Sequence, residues 1–169
     1  MTILVRLLLG YCLLAAPTLV RAELEVGATA PSFSVLAAEG GTDLTFTLST
    51  ALKKGPVVVY FYPKSFTTVC TEEAHLFAEA APEFEALGAS VIGISTDTIE
   101  TQREFSRMAC RDKFPVAADP EGQVVKGYDV VASRGEGARV MARRTSYVIT
   151  PDSKIASALT ASDAASHIE

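Results

Sequence analysis

Residues 57–62 form an unbroken run of apolar and aromatic side chains with the sequence Val-Val-Val-Tyr-Phe-Tyr. Because polar residues do not alternate with apolar ones, this run predicts a strand that is buried on both faces of a sheet. Residues 68–87 then carry apolar side chains at helical spacing, including Phe77 and Phe84, and predict a long helix. Residues 90–95 have the pattern of a second buried strand.

Shorter strand patterns lie on either side of this region and are expected to pair into hairpins. One turn is expected at residues 40–41, Gly-Gly, and the other at residues 151–153, Pro-Asp-Ser. A second helix is expected to begin at Thr98 or Thr101, and a short one after Ser162. The hairpin strands are expected at residues 33–36, 44–48, 145–150 and 155–159. These elements predict an α/β domain with a central sheet, flanking helices and an N-terminal hairpin.

The first 22 residues differ from the rest of the chain. Arg6 precedes an apolar run at residues 7–20 that Pro17 interrupts, and small or short residues stand at the positions that signal peptidase inspects in residues 20–22. We therefore expect a signal peptide at residues 1–22, a single domain at residues 23–169, and a periplasmic or secreted mature protein. An uncleaved membrane anchor is the alternative, but the apolar stretch is shorter than the ~20 residues that span a bilayer.

Composition and charge restrict the possible partners. The chain has 169 residues, 49% of them hydrophobic, which fits one ordinary globular domain. Removing residues 1–22 changes the formal charge from −5 to −7, and no basic block remains, so nucleic acid and anionic membrane are poor candidate partners. The two histidines, His75 and His167, have no metal ligands at suitable spacing and are expected to be solvated or packed side chains, so no metal or cofactor is expected.

Cys70 stands where the buried strand at residues 57–62 turns into the following helix. Free backbone N–H groups and the helix dipole favour negative charge at a helix start, so a cysteine there forms a thiolate more readily than a free cysteine. The segment that leads to it is Pro63-Lys64-Ser65-Phe66-Thr67-Thr68-Val69. We therefore expect Cys70 to be a reactive nucleophile.

The sequence resembles the peroxiredoxins, and in particular the branch that contains bacterioferritin comigratory protein and peroxiredoxin Q. The resemblance rests on Pro63-x-x-x-Thr67-x-x-Cys70-Thr71-x-Glu73-Ala74 and on residues 91–97, 113–122 and 144–149, which occur in the same order and spacing. It extends from Val26 to about Leu159. It implies a thioredoxin-like fold, a monomer, and a thiol peroxidase that reduces hydrogen peroxide and organic hydroperoxides.

The residues around Cys70 suggest roles in such a reaction. Thr67 can place its hydroxyl beside the sulfur, and Pro63 shields the sulfur and stiffens the turn. The resemblance implies that Arg144 pairs with the thiolate and donates to the peroxide. We expect Arg144 to be needed because Glu72 and Glu73 lie in the same helical turn and their charges oppose a thiolate.

Cys110 is the second cysteine of the expected mature chain and the candidate resolving cysteine. The resemblance places a resolving cysteine either five residues after the nucleophile, where this chain has His75, or on the next helix, near Cys110. If that helix continues, Cys110 shares the face of Arg107 and points away from the core. Arg107 and Arg111 are then expected to lower the pKa of Cys110.

The hypothesis that follows is a Cys70–Cys110 disulfide that a thioredoxin-like or glutaredoxin-like protein reduces. A one-cysteine peroxidase resolved by an external thiol is the alternative. A disulfide oxidoreductase of the same fold would need a Cys-x-x-Cys pair at this turn, which the chain lacks. A metal-delivery module would need a second cysteine nearby and a ligand histidine, distant in sequence, in the pocket, and neither His75 nor His167 is well placed for this.

Overall fold

Strands and helices alternate through the computed structural model, which describes residues 24–132 and 139–168. The predicted signal peptide at residues 1–22 therefore lies outside the described residues. The elements are β1 (Ser34–Glu39), β2 (Thr42–Thr47), α1 (Leu48–Ala51), β3 (Val57–Phe61), α2 (Thr68–Ala86), β4 (Ser90–Ser95), α3 (Ile99–Met108), β5 (Val116–Ala118), α4 (Gln123–Gly127), β6 (Thr145–Ile149) and β7 (Ile155–Thr160). A short 3₁₀ turn at Ala165–His167 follows.

The seven strands form one mixed sheet in the order β2-β1-β5-β4-β3-β6-β7. β3, β4 and β5 run parallel to one another, whereas the two hairpins, β1–β2 and β6–β7, are antiparallel and occupy the edges. The predicted α/β architecture with an N-terminal hairpin is confirmed. The strand that shows no polar alternation, β3, lies between β4 and β6 and is buried along its whole length.

The core divides into two clusters, one on each face of the sheet. Successive residues of β3 point to opposite faces, so Val59 and Phe61 join one cluster while Val58 and Tyr60 join the other. The cluster that contains Tyr60 also contains both Cys70 and Cys110. The two thiols of the described chain therefore lie on the same side of the sheet.

α1, β5 and α4 are elements that the sequence pattern does not reveal. β5 has only three residues, too few to show any periodicity. The N terminus of α4 is stabilised by Asp119, whose carboxylate accepts hydrogen bonds from the backbone N–H groups of Gln123 (2.8 Å) and Val125 (2.9 Å). Residues 127–131, which fit no sequence pattern, form the end of α4 and an irregular connection.

The other predicted helices and strands lie within a few residues of their observed positions. The long helix ends at Ala86, one residue before its predicted end, and Gly88 follows it in the left-handed conformation (φ 69°) that commonly terminates helices. The short helix expected after Ser162 is a single 3₁₀ turn. Within the described part of the chain, the helices are too short or too polar for any of them to cross a membrane.

Candidate active site

Cys70 is the third residue of α2 and lies at the end of the sheet where β3 finishes. Its amide is therefore among the first of the helix, which have no carbonyl partner within the helix. The side chain is 1% exposed and packs against the aromatic cluster of Tyr60, Tyr62 and Phe77. A thiol in this position is shielded from bulk solvent and experiences the positive end of the helix dipole.

Arg144 immediately precedes β6, and the pairing of Phe61 with Thr145 brings it next to the end of β3. Its guanidinium is buried and donates a hydrogen bond from Nη2 to the Cys70 sulfur at 3.2 Å. The structure thus brings together the two residues that the sequence motif and the resemblance single out. Arg143, the preceding residue, instead donates from Nη2 to the carbonyl of Asp129.

Glu73 differs from the expectation in its burial and in its pairing with Arg144. It is fully buried, and Arg144 donates from Nη1 to its Oε2 while donating from Nη2 to Cys70. Burial raises the pKa of Glu73 to about 8, because the neighbouring Arg144 offsets only part of the desolvation. Glu73 is therefore a partner of Arg144, whereas Glu72 is exposed to solvent.

The charge of Arg144 is maintained by these two neighbours. Burial disfavours the guanidinium cation, but Glu73 and Cys70 outweigh burial and raise the pKa of Arg144. One fixed positive charge is thus shared between a thiol and a carboxyl group. The arrangement can stabilise a thiolate and can also donate hydrogen bonds to an oxygen bound beside it.

Pro63 and Thr67 occupy the loop between β3 and α2. Pro63 is half-buried, and Thr67 is exposed with the extended backbone of a residue that precedes a helix. The Thr67 hydroxyl donates to the carbonyl of Lys64 at 3.0 Å. It therefore stabilises the loop that leads into α2.

A buried polar network fixes this loop to the rest of the domain. The backbone N–H of Ser65 donates to Asp97 at 2.7 Å, and the Tyr62 hydroxyl donates to Oε1 of Gln102 at 2.9 Å. Gln102 in turn donates from Nε2 to the Ser95 hydroxyl (2.8 Å) and to the carbonyl of Ala117 (3.0 Å). Sequence reasoning missed Gln102, because a glutamine in an amphipathic helix gives no signal that it is buried.

The expected orientation of Cys110 is wrong. α3 ends at Met108, and residues 111 and 112 both adopt left-handed backbone conformations, so Cys110 lies in the turn that follows the helix. Its side chain is 0% exposed and packs in the aromatic cluster. Arg107 and Arg111 do not lower the pKa of Cys110; burial raises it, and the nearby Tyr60 hydroxyl offsets only part of this effect.

His167 is packed, in agreement with one of the two expected environments, but its position beside the site was not foreseen. Its Nδ1 lies 2.7 Å from the Ser146 hydroxyl and 3.9 Å from Oε1 of Glu73. His75, on α2, is half-buried. In the described ranges, no group of three or more histidine, cysteine or acidic side chains is arranged to hold a metal ion.

A cavity of about 100 Å³ lies beside Pro63, Lys64 and Met141. Larger cavities, of about 220, 400 and 640 Å³, are lined by residues elsewhere on the surface.

Comparisons with known proteins agree with this description. The sequence profile of the AhpC/TSA family matches residues 26–158. A Mycobacterium tuberculosis protein that is named as a peroxiredoxin is 39% identical over 109 residues, which are 64% of this chain and 69% of that protein. The crystal structure of peroxidoxin BcpB from M. tuberculosis is 32% identical and superposes with a TM-score of 0.75, covering 85% of this chain and 91% of that one. A Xylella fastidiosa PrxQ structure, 25% identical, has a TM-score of 0.71 over 82% of this chain and 87% of that one.

Proposed function

The chain belongs to the AhpC/TSA family and is a thiol-dependent peroxidase, and we propose that Cys70 is the thiol that attacks the hydroperoxide. The observation that supports this assignment most strongly is the buried hydrogen bond of 3.2 Å from Arg144 to the Cys70 sulfur at the start of α2. Helix dipole and guanidinium both stabilise negative charge at that sulfur. Cys110 has neither advantage.

The reaction transfers one oxygen atom to the sulfur. The Cys70 thiolate attacks the terminal oxygen of the hydroperoxide, the S–O bond forms and the O–O bond breaks. The sulfur loses two electrons and becomes a sulfenic acid, while the departing alkoxide or hydroxide takes up a proton and leaves as alcohol or water. Arg144 can donate to the oxygen on which charge develops. Pro63 excludes water from one side of the sulfur.

We propose that Cys110 then resolves the sulfenic acid as an intramolecular disulfide, with release of water. Both thiols belong to the same hydrophobic cluster, which supports this pairing. Both are also buried, and a disulfide needs Cα atoms within roughly 7 Å, so the first turn of α2 or the turn around Cys110 must rearrange. The left-handed Arg111 and Asp112 favour rearrangement at Cys110, because non-glycine residues adopt that conformation at a cost.

A dithiol protein of the thioredoxin or glutaredoxin type then reduces the disulfide and is itself oxidised. Phe66 and Val69, which both precede Cys70 in the sequence, are 45% and 37% exposed and offer an apolar contact surface for such a protein. We further propose that the mature protein acts as a monomer after export, on the basis of the resemblance and of the signal-like residues 1–22.

Steady-state peroxide consumption tests these assignments. We expect Cys70→Ser to abolish turnover with both dithiothreitol and a thioredoxin system. Cys110→Ser is expected to keep the first oxidation but to lose turnover with thioredoxin. Full turnover of Cys110→Ser with thioredoxin would instead establish the one-cysteine alternative, and activity of Cys70→Ser would contradict the assignment of the nucleophile.

A further inference from the structure

Glu73 uses only one of its two carboxyl oxygens in hydrogen bonding. Oε2 accepts from Arg144, whereas the buried Oε1 has no hydrogen-bond partner among the described residues. Nδ1 of His167 lies 3.9 Å from this oxygen, and neither side chain is exposed to solvent. A buried oxygen without a partner is unfavourable, particularly when it carries negative charge.

His167 is held at this position by two contacts. Its Nδ1 lies 2.7 Å from the hydroxyl of Ser146, and its Nε2 lies 3.3 Å from the carbonyl oxygen of Ala161. One neutral tautomer satisfies both contacts: Nε2–H donates to Ala161, and Nδ1 accepts from Ser146. Ser146 is two residues after Arg144, so the strand directs both side chains to the same face.

The charges of this site do not balance when Cys70 ionises. Arg144 supplies one positive charge, whereas a Cys70 thiolate and a Glu73 carboxylate would supply two negative charges. In a site closed to solvent, a second negative charge without compensation is strongly disfavoured. The reactive state of the site must therefore retain one further proton near Glu73.

We propose that His167 and Glu73 share this proton, so that the charge of Arg144 remains available to the Cys70 thiolate. His167 is then a positioning residue that acts through Glu73. The proposal rests on the proposed function of Cys70, but it concerns only how the thiolate forms. When the proton is on Glu73, the carboxyl is neutral; when it is on His167, the imidazolium compensates the carboxylate.

The other groups that face the pair are consistent with this assignment. Burial lowers the pKa of the His167 imidazole most, and the Ala161 carbonyl offsets part of this effect; Arg144 lowers the pKa further, whereas Asp163 raises it. Tyr60 lies close to Glu73 but keeps its proton, because burial raises its own pKa well above the ordinary value. Burial also raises the pKa of Glu73, which disfavours a carboxylate that has no proton beside it.

The pH dependence of Cys70 alkylation by iodoacetamide tests the proposal, because this rate follows thiolate formation and does not require peroxidase activity. Peptide mapping assigns the alkylated cysteine. We expect His167→Gln, which cannot hold the proton, to move the alkylation midpoint upward by about one pH unit, a roughly tenfold slower reaction below the midpoint. His75→Gln, the other histidine of the chain, is the matched control and is expected to leave the midpoint unchanged.

The effect of His167→Gln must depend on Glu73 if the two residues share the proton. In a Glu73→Gln background, where no carboxylate competes for Arg144, we expect His167→Gln to cause no further change in the midpoint. An equal shift in both backgrounds, or no shift in either, would overturn the proposal. Ser146→Ala keeps the imidazole but removes one of its anchors, and we expect it to cause a smaller shift in the same direction.

Two controls separate this proposal from others. Circular dichroism establishes whether each variant is folded. If His167→Gln does not fold, Ser146→Ala takes its place in the test. An unchanged alkylation midpoint in folded Ser146→Ala would then contradict the proposal. The rate of peroxide reduction, measured in parallel, reports on the proposed function. If none of the proteins reduces peroxide but the midpoints shift as expected, only the proposed function fails.

Discussion

Nη2 of Arg144 lies 3.2 Å from the sulfur of Cys70, although the two residues are 74 positions apart in the sequence. The same guanidinium donates from Nη1 to Glu73, one helical turn after Cys70. A single planar cation therefore fixes the thiol and the carboxyl group relative to each other. Lysine cannot reproduce this arrangement, because its ammonium group lacks the two parallel donors.

We accordingly expect Arg144→Lys to lower the second-order rate constant for peroxide reduction by about 100- to 1000-fold, the range for loss of one oriented donor at a developing negative charge. Stopped-flow fluorescence or competition kinetics measures this rate constant. Arg143→Lys is the matched control, since Arg143 donates to the Asp129 carbonyl and not to the site. Equal effects of the two substitutions would contradict a specific role for Arg144.

Glu73 is expected to make stability depend on pH. Burial raises its pKa in the folded protein to about 8, so between the ordinary carboxyl value and pH 8 the folded state binds more protons at Glu73 than the unfolded state does. The contribution of Glu73 to stability is therefore present at low pH and is lost as pH rises, by at most about 1.4 kcal/mol per unit.

Urea unfolding of the reduced protein at several pH values between 4.5 and 8 measures this contribution. We expect the free energy of unfolding to fall with pH more steeply in the parent than in Glu73→Gln. Glu72→Gln, an exposed neighbour, is expected to retain the slope of the parent. Parallel slopes for the parent and Glu73→Gln would contradict the raised pKa.

Gln102 connects the loop before Cys70 to α3 and β5 through buried hydrogen bonds. Because Gln102→Ala leaves the buried hydroxyl groups of Tyr62 and Ser95 short of a partner, we expect it to lower the free energy of unfolding by about 2–4 kcal/mol. Gln123→Ala, at an exposed position in α4, is expected to change it by less than about 0.5 kcal/mol. Similar values for the two variants would show that the network contributes little.

Formation of a Cys70–Cys110 disulfide is expected to disrupt local structure, because both sulfur atoms are buried in the reduced protein. Hydrogen exchange of the oxidised protein should show loss of amide protection in residues 68–73 and 109–114, with the strands of the central sheet unchanged. Cys110→Ser treated with the same peroxide serves as the control. Unchanged protection in the disulfide form of the parent would contradict the proposed rearrangement.

The sequence predicted the long elements well because their patterns are strong. The apolar run of β3 and the periodicity of α2 place Cys70 at their junction, and the turn residues identify both hairpins. β5 escaped prediction because a three-residue strand has no period to detect, and its position in the sheet is fixed by pairing with β1 and β4.

The site was less accessible to sequence reasoning, because its burial and pairing depend on distant residues. Extending α3 by one turn assigned Cys110 to the solvent-facing side, whereas the left-handed residues Arg111 and Asp112 turn the chain and bury it. Glu73 looked like a charge opposing the thiolate until the fold brought Arg144 beside it. His167 lies near the site only because the last described residues pack against β6.

Intact mass spectrometry of the reduced mature protein after one equivalent of hydrogen peroxide tests the assignment of Cys70 most directly. We expect the parent to lose two hydrogen atoms, Cys110→Ser to gain one or more oxygen atoms, and Cys70→Ser to remain unchanged. Added oxygen in both the parent and Cys110→Ser would remove Cys110 from the mechanism and leave Cys70 as the single reactive thiol. Rapid oxidation of Cys70→Ser, or no rapid change in the parent, would contradict the central claim that Cys70 is the peroxide-reducing thiol.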